Sequence, residues 1–229
     1  MGAREAARDG GTGTTVQQPG TRAAERAEGP RPSGRPPLTE RRKAETRLDI
    51  AYEAVRLFAE RGVAATSGED IARAAGISPR TLWRYFPSKE ECVRPLLSTG
   101  LETTARRLRE LPADRPLREG LEAGLPQAGE ADTTTAQLQL IRLLPGEPGL
   151  RAVWLRVHHD AEHVFAGIIA ARTGADPADL VPRLKAVMLN GALRVAAEEW
   201  ARRSAEADQA AGVEGFRQAV LQATEALGL

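Results

Sequence analysis

Two short helices separated by a tight turn are predicted by residues 66–86, and this arrangement constrains the fold more than any other part of the chain. The stretch TSGEDIARAAG opens with a capping box, in which the side chains of Thr66 and Glu69 can each satisfy a backbone N–H. The helix that follows is short, because Gly76 favours the left-handed backbone conformation of a helix end. A helix of this length is stable only when it packs against neighbours.

The second helix of this pair begins directly after a three-residue turn that contains the glycine. Ser78 can cap its N-terminus, and Pro79 stands in the first turn, where a missing N–H does no harm. Pro87 disfavours helical geometry in the residue before it, so the helix is predicted to end near Phe86. Two helices with this turn, preceded by a supporting helix, predict a helix-turn-helix unit.

The supporting helix is predicted from Thr39 to Gly62, where the glycine can cap the C-terminus. Its apolar residues recur at helical spacing and form one stripe, which consists of Leu48, Ala51, Val55 and Phe58. The residues of the helix pair that would meet this stripe are Ile71, Ala72, Ala75, Ile77, Leu82 and Phe86. Together they predict the three-helix core of a small N-terminal domain.

The face of the second helix that points away from this core carries two arginines and a tryptophan. Arg80, Trp83 and Arg84 fall within an arc of about 100°, at 100° per residue. An exposed indole favours a surface that a partner covers over a merely solvated helix face. Arginine can bind guanine O6 and N7 through two hydrogen bonds, and an aromatic edge can pack on thymine methyl groups. We therefore predict that these three residues contact DNA bases in the major groove.

The segment LFAERGVAATSGEDIARAAGISPRTLWRYFPSKEE resembles the DNA-binding domain of the TetR family of one-component transcriptional regulators, and the resemblance covers about residues 45–95. The residues that carry it are Phe58, Gly62, Thr66, Ile71, Ala72, Ala75, Gly76, Ser78, Thr81, Leu82, Tyr85, Phe86, Ser88 and Lys89. Gly68 departs from the family pattern, which usually has a branched apolar residue there, so we expect a lost core contact and about 1 kcal/mol of lost helix propensity. The resemblance implies a helix-turn-helix domain at 39–95 and a ligand-binding and dimerisation domain at 96–229.

Four further residues are predicted to contact DNA phosphates. The hydroxyls of Thr81 and Tyr85 flank the base-reading face, and the family resemblance implies a phosphate contact for both and for Lys89. Ser67 lies at the start of the first helix of the pair, where free backbone N–H groups attract anions.

An all-α fold of about nine helices is predicted for the chain. A box of Ser88 and Glu91 begins a fourth helix that runs to about Leu111. Five more helices are predicted at about 115–127, 133–144, 149–173, 177–205 and 213–227, and Pro182 leaves the start of the eighth open. Residues 1–38 are rich in Gly, Pro and Arg and predict a disordered basic extension; the alternatives are an inert leader and an arm that touches phosphates.

A homodimer interface is predicted in the last two helices. Residues 184–200 are apolar on nearly every side, which is more than packing inside one subunit requires, although a buried helix of a monomer would look similar. The family resemblance implies a four-helix interface between two subunits. Its expected members are Gly191, Ala192, Ala196, Phe216 and Val220.

A ligand cavity in the C-terminal domain is implied by the family resemblance. The apolar stripe of the helix at 149–173 is ordinary core packing by itself. The candidate cavity residues are Leu140, Trp154, Phe165 and Met188. The C-terminal sequence is also similar to the TetR subgroup with an acyl-CoA-like ligand domain, and Arg142, Arg151 and Arg156 could meet a phosphorylated head group.

Metal, redox and catalytic sites find little support in the sequence. His159 and His163 are four residues apart in HHDAEH, but no third ligand is identifiable. Cys92 can be a redox sensor with a lowered pKa or, as we expect, a packed thiol. The sequence shows neither a Ser/His/Asp arrangement nor a pair of carboxylates at catalytic spacing, so we predict neither an enzyme nor a cofactor. A net charge of +1 argues against a nonspecific polycation, and the lack of long apolar runs argues against membrane insertion.

The predicted function is a cytoplasmic, ligand-responsive transcriptional repressor. It would bind a palindromic double-stranded DNA operator as a homodimer and leave it when a small apolar or acyl-CoA-like effector binds. The alternatives are an architectural or cell-division DNA-binding factor of the same fold without an effector, and an enzyme with its site in the C-terminal half.

Overall fold

A computed structural model describes residues 38–125, 132–203 and 209–225 of the 229-residue chain. Within these residues the fold is all-helical. The helices are α1 (Leu38–Arg61), α2 (Gly68–Ala74), α3 (Pro79–Tyr85), α4 (Arg94–Glu110), α5 (Leu117–Gly124), α6 (Asp132–Leu143), α7 (Pro148–Thr173), α8 (Leu180–Arg203) and α9 (Gln209–Glu225), with short 3-10 helices at Glu90–Val93 and Leu144–Gly146. The predicted extension at 1–38 lies outside the described residues, except for Leu38, where α1 begins.

The three-helix core forms as the apolar pattern predicts. Phe58 of α1, Ile71 of α2 and Leu82 of α3 are buried together. Gly62 and Gly76 adopt positive φ values of 81° and 66°, which a residue with a Cβ reaches only at a cost, and they end α1 and α2. The helix-turn-helix prediction is confirmed.

The cap of α2 differs from the prediction by one residue. Ser67, not Thr66, is the N-cap, and its capping-box partner is Asp70 rather than Glu69. Two boxes overlap in the sequence, and the first cannot form because Thr66 is buried and its hydroxyl donates to the Gly62 carbonyl at 2.9 Å. The threonine therefore holds the loop after α1.

The C-terminal helices form a bundle that continues the N-terminal core. The helix α7 packs along α8, α8 packs along α9, and α4 contacts both α5 and α7. Buried residues of α1 share one cluster with residues of α4, α6 and α7. The eighth helix begins at Leu180, so Pro182 lies in its first turn, where no helical N–H bond is lost. No described helix combines the length and apolarity needed to cross a bilayer.

Candidate nucleic-acid interface and buried cavity

The outward face of α3 presents two arginines and an indole to solvent. Leu82 anchors the opposite face of the helix in the core. Arg80 and Arg84 are exposed, and Trp83 is 43% exposed. Among the described residues, no carboxylate lies within ion-pair distance of either guanidinium. This cationic face is therefore free to bind an anionic partner.

The inner edge of the Trp83 indole lies against α2 at Gly68. A Cβ built on Gly68 would lie 3.2 Å from the indole Cε2 atom and far inside contact distance of Cζ2 and Cη2. The family-atypical glycine therefore leaves no empty space, because the indole edge fills the position of its missing side chain. We expected a lost core contact at Gly68, and the structure corrects this. The side chain that α2 lacks at Gly68 is replaced by the Trp83 indole of α3.

Tyr85 is flanked by two guanidinium groups. The Arg84 Cζ atom lies 5.2 Å from the centre of the phenol ring, and the Arg47 Cζ atom of α1 lies 5.3 Å from it. Arg84 thus sits at the α1 side of the face, close to a tyrosine that is predicted to touch phosphate. Arg47 was not predicted as part of this surface, because only the packing of α1 on α3 brings it there.

Two of the side chains predicted to contact phosphates, Thr81 and Ser67, already have hydrogen-bond partners within the protein. Thr81 and Ser78 place their hydroxyl oxygens 2.9 Å apart. Ser67 donates its hydroxyl to Asp70 at 2.6 Å, and its backbone N–H donates to the same carboxylate at 3.1 Å. These two bonds, followed by one from Arg73, lower the pKa of Asp70 to about 2. The carboxylate therefore holds the place at the start of α2 that was predicted for a phosphate.

Lys89 supports the loop between α1 and α2. Its Nζ atom donates to the carbonyl oxygens of Val63 at 2.6 Å and of Thr66 at 2.9 Å. Two of its three N–H bonds are therefore used inside the domain. A phosphate contact by Lys89 would use the third.

Cys92 and the two exposed histidines do not form reactive sites in this structure. Cys92 is fully buried, and burial raises the pKa of its thiol to about 12. A raised pKa is expected for a packed thiol, whereas a redox sensor would have a lowered one. His159 lies 3.5 Å from Glu162 and both His159 and His163 are exposed. No group of three metal-binding side chains occurs among the described residues.

A cavity of about 400 Å³ lies between the helices of the C-terminal bundle and is partly open to solvent. Its wall is formed by Leu96, Leu97, Thr99, Gly100, Leu101, Thr103, Thr104, Gly124, Leu125, Gln137, Leu138, Ile141, Trp154, His158, Leu193, Ala197, Phe216 and Val220. No Lys, Arg, Asp or Glu is among these described residues. The volume is within the range of small-molecule sites, and the wall suits a mainly apolar guest.

Of the four predicted cavity residues, Trp154 lines this cavity. Leu140 is completely buried in the packed core, and Phe165 is buried beside a separate, smaller cavity of about 220 Å³. Met188 is 48% exposed on the outer face of α8, so its prediction as a cavity residue is wrong. Apolar periodicity identifies buried residues but does not say which of them border a void.

His158 is a cavity residue that the sequence analysis missed. It lies four residues after Trp154, and their rings meet edge to face at 4.1 Å. Its Nδ1 atom lies 2.7 Å from Asn190 Oδ1, and burial lowers its pKa to about 4. The available signal was its spacing from Trp154, which places it on the apolar side of α7, unlike its neighbour His159.

The outer face of α8 is apolar and exposed. Its large exposed residues are Leu180, Val181, Leu184, Val187, Met188 and Val195. Gly191 and Ala192, two of the predicted interface residues, are half-buried on the same helix. We call these eight residues the α8 surface.

Three other predicted interface residues have packing partners within their own subunit, and of these Phe216 is half-buried. Ala196 and Val220 are buried, at 4% and 1% exposure, and Val220 also borders the cavity. Phe216 stacks edge to face on Trp200 at 5.6 Å and lines the cavity as well. The packing of α9 on α8 within the subunit accounts for much of their burial, and their place in a dimer interface stays a prediction.

Two ion pairs join α7 to the 3-10 helix at Glu90–Val93 and to the first residue of α4. Arg156 donates to Glu91, which is buried, and Arg94 donates to Asp160 at 2.5 Å. Gly149 permits this close packing, since a Cβ there would lie 2.8 Å from Glu90 Cγ. The helix that bears Trp154 and His158 is therefore tied directly to the segment that follows α3.

Two family models match the chain. Residues 50–96 match the model of bacterial regulatory proteins of the tetR family, and residues 116–224 match the model of the MftR C-terminal domain. The first covers the helix-turn-helix, and the second covers the helices that enclose the cavity with α4.

Curated relatives give the same result over most of the chain. The HTH-type transcriptional regulator TcmR of Streptomyces glaucescens is 35% identical over 178 residues, which are 74% of this chain and 78% of TcmR. The mycofactocin biosynthesis transcriptional regulator MftR of Mycobacterium tuberculosis is 32% identical over 71% of this chain and 83% of MftR. The HTH-type transcriptional repressor KstR2 of Rhodococcus jostii is 41% identical over 31% of this chain and 35% of KstR2.

Solved structures agree at the level of the fold. A TetR-family transcriptional regulator from Syntrophomonas wolfei superposes with a TM-score of 0.56 at 15% identity, over 81% of this chain and 95% of that one. Another from Rhodococcus sp. has a TM-score of 0.52 at 21% identity, over 80% and 98%. TcmR and MftR each match more than two thirds of the chain, and the helix-turn-helix with its exposed cationic helix agrees with these matches. The chain therefore belongs to the TetR family of transcriptional regulators, which are DNA-binding proteins and not enzymes.

Proposed function

We propose that this protein is a cytoplasmic repressor that binds a palindromic operator as a homodimer, with α3 of each subunit in the major groove. The observation that supports this most is the face of α3, where two arginines and a half-exposed indole stand on a helix anchored in the core without carboxylates to neutralise them. Repression, rather than activation, is proposed because the relative KstR2 is a transcriptional repressor, and its match covers 31% of this chain.

The proposed contacts on DNA are divided by chemistry. Arg80, Trp83 and Arg84 would read base edges, since they are the outward groups without polar partners in the domain. Thr81 and Tyr85 would meet phosphates at the flanks, with the third N–H of Lys89. Arg47, which lies beside Tyr85, joins the phosphate group in this proposal. Ser67 is dropped from it, because Asp70 occupies both of its donors.

The proposed dimer forms through the α8 surface. Six large apolar side chains on one helix are exposed in the single subunit, which is unusual for a soluble monomer. A second copy is the occupant that fits best, because two-fold pairing places one helix-turn-helix on each half of a palindrome. Gly191 and Ala192 would let the two α8 helices approach closely.

The proposed effector binds in the cavity and acts through α7. A ligand can change DNA affinity only if it binds the two conformations of the dimer differently. The chain of contacts from Trp154 along α7 to Arg156 and Glu91 supports such a coupling, since any shift of α7 moves the segment after α3. The domain division at 39–95 and 96–229 is retained in this proposal, with α4 as the shared helix.

A small apolar molecule fits the cavity better than an acyl-CoA. The wall suits an aliphatic chain, but the three arginines considered for a phosphorylated head have other partners: Arg156 binds Glu91, Arg151 lies 3.6 Å from Glu198, and Arg142 covers Trp200 at 5.1 Å. An acyl-CoA therefore remains one arm of the test rather than the proposed effector.

The test begins with an operator selected from a random DNA library by the full-length protein. We expect Arg80→Ala to lose about tenfold to a hundredfold in affinity for that operator, and to relax preference at one position in each half-site. The matched control is Arg115→Ala, an exposed arginine paired with Glu119 far from α3, which should leave binding unchanged.

The effector arm uses the same operator. Binding is measured by fluorescence anisotropy while small apolar compounds and lauroyl-CoA are added. Release of the operator by a compound supports the regulator. A protein that binds many sequences equally, and that no compound releases, would instead be an architectural factor.

A further inference from the structure

His158, a residue of the cavity wall, has a buried nitrogen without a hydrogen-bond partner. The residue is 2% exposed and belongs to the cavity wall. Its Nε2 atom has no hydrogen bond, and no other described residue of the wall has a buried side-chain nitrogen in this state. A buried polar atom that lacks a partner costs free energy, so such an atom at a cavity marks where a guest would bind.

The bond to Asn190 fixes which nitrogen of His158 carries the proton. Asn190 Nδ2 donates to the backbone carbonyl of His158 at 2.9 Å, and a carbonyl only accepts. The amide oxygen of Asn190 must therefore face His158 Nδ1, which lies 2.7 Å away. An oxygen in that position accepts, so Nδ1 carries the hydrogen and Nε2 presents a lone pair.

The ring is neutral at physiological pH. Burial, and then the nearby Arg194, lower its pKa, while the Asn190 bond and Glu198 act in the other direction, and the result is a pKa of about 4. The edge-to-face contact with Trp154 also limits rotation of the ring. His158 thus offers a fixed acceptor rather than a cation.

Three other polar side chains of the wall donate their hydrogen bonds to groups of the protein itself. Gln137 donates its amide to the Leu96 carbonyl at 2.9 Å, and Thr99 donates its hydroxyl to the Pro95 carbonyl at 2.9 Å. Trp154 donates its indole N–H to Glu198 at 3.2 Å. Since the described wall has no Lys or Arg, it provides no counter-ion for a carboxylate or phosphate.

We propose that the effector is a neutral, mainly apolar molecule with a phenol or alcohol group whose O–H donates to His158 Nε2. This inference rests on the proposed effector cavity and adds the chemical class of its ligand. The hydroxyl would satisfy this buried acceptor, while the apolar body fills a space lined by Leu, Ile, Phe and Trp side chains. Asn190 is a positioning residue, because it sets the tautomer without touching the ligand.

The test compares three probes of nearly equal shape: 2-naphthol, which has the donor, and 2-methoxynaphthalene and naphthalene, which do not. We expect calorimetry on the full-length protein to show 2-naphthol binding about tenfold more tightly than either analogue. Equal affinities for all three, no binding of 2-naphthol, or binding of lauroyl-CoA instead of 2-naphthol would each overturn the inference.

Two variants of His158 separate the hydrogen bond from packing. His158→Phe keeps a flat ring and should lose the preference for 2-naphthol while still binding naphthalene within about threefold. His158→Asn can keep a bond to Asn190 but lacks Nε2, and it should lose the preference too. His159→Phe, at the exposed neighbouring position, is the control and should bind all three probes as the wild type does.

A spectroscopic measurement on the free protein needs no ligand. A long-range ¹H–¹⁵N spectrum at pH 7 should show the His158 ring neutral, with Nε2 unprotonated, and addition of 2-naphthol should shift the Nε2 signal. A proton on Nε2 in the free protein would end the inference. Failure of the proposed function looks different, since it would be the failure of every bound compound to release the operator.

Discussion

The DNA-binding region, α1 to α3, and the C-terminal bundle differ in what decides their functional residues. In the first region, caps, turns and one polar helix face lie within about 20 residues of sequence, and they set which side chains point outward. In the second region, residues from six helices converge on one cavity, and helical periodicity cannot tell a buried side chain from one that borders a void. The comparison teaches that a local pattern predicts a surface better than it predicts a cavity.

Disruption of the α8 surface should have the largest effect. Leu184→Asp places a charge on an exposed apolar position, so the subunit should stay folded while the dimer dissociates. Operator affinity should then fall on the order of a hundredfold or more, because each subunit binds its half-site alone. Light scattering gives the mass, and anisotropy gives the affinity.

The control for this prediction is Leu155→Asp, which introduces the same charge at an exposed leucine of α7. It should remain dimeric. A dimeric Leu184→Asp protein would show that the α8 surface is not the dimer interface and that it serves some other contact.

Acid should destabilise the C-terminal bundle through His158. Its folded pKa of about 4 lies below the unfolded value of 6.5, so the unfolded state takes up the proton more readily. The stabilising contribution is complete above pH 6.5, and about 3 kcal/mol of it is lost as the pH falls to about 4. Urea unfolding from pH 7 to pH 4 should therefore be steeper in pH for the wild type than for His158→Phe.

The exposed neighbour His159 provides the matched comparison. His159→Phe should keep the wild-type dependence on pH. If His158→Phe kept the wild-type slope instead, the buried imidazole would not be the neutral group on which the ligand inference depends.

Lys89 tests whether a predicted DNA contact is also a structural residue. Lys89→Met should lower the free energy of unfolding by about 2 kcal/mol, because the carbonyls of Val63 and Thr66 lose a charged donor. The affinity for all sequences should also fall, with a salt slope reduced by about one if the third N–H meets a phosphate. Thermal unfolding and a salt titration measure the two roles separately.

A reduced salt slope without any change in the melting temperature would show that Lys89 acts on DNA alone. The opposite result would remove it from the phosphate contacts. Either result shows whether a DNA contact predicted from neighbouring residues of the sequence holds in the DNA-binding region.

Gly68→Ala should have the smallest effect on folding. The new Cβ would overlap the Trp83 indole, but that side chain is half-exposed and can swing outward, while alanine gains about 1 kcal/mol of helix propensity. We expect the free energy of unfolding to change by about 1 kcal/mol or less, and operator affinity to fall about tenfold because the indole loses its support. Acrylamide quenching of Trp83 should increase.

The control for Gly68→Ala is Ala74→Gly on the exposed side of α2, which changes propensity without touching the indole. Unchanged operator binding in Gly68→Ala would mean that the position of Trp83 on α2 is irrelevant to DNA recognition.

Prediction from sequence was accurate where a signal lies in consecutive residues. The helix-turn-helix, its core and the ends of α1 and α3 were predicted, since Gly62, Ser78 and Pro87 act through their own backbone. The α2 cap was wrong by one residue, because two boxes overlap and only the burial of Thr66 chooses between them. Arg47 and the Gly68–Trp83 contact could not be predicted, because they depend on how α1 and α2 pack on α3.

The sequence by itself determined the class of this protein. It predicted an all-α fold with a helix-turn-helix and an outward cationic helix face that carries an indole, and nine α-helices are found in the described residues. Only the tertiary structure decided which apolar residues border the cavity, that Phe216 and Val220 face inward while Met188 faces outward, and that His158 differs from His159. The physical reason is that caps and turns are satisfied within a few residues, whereas cavities, tautomers and shared surfaces depend on helices that are distant in the chain.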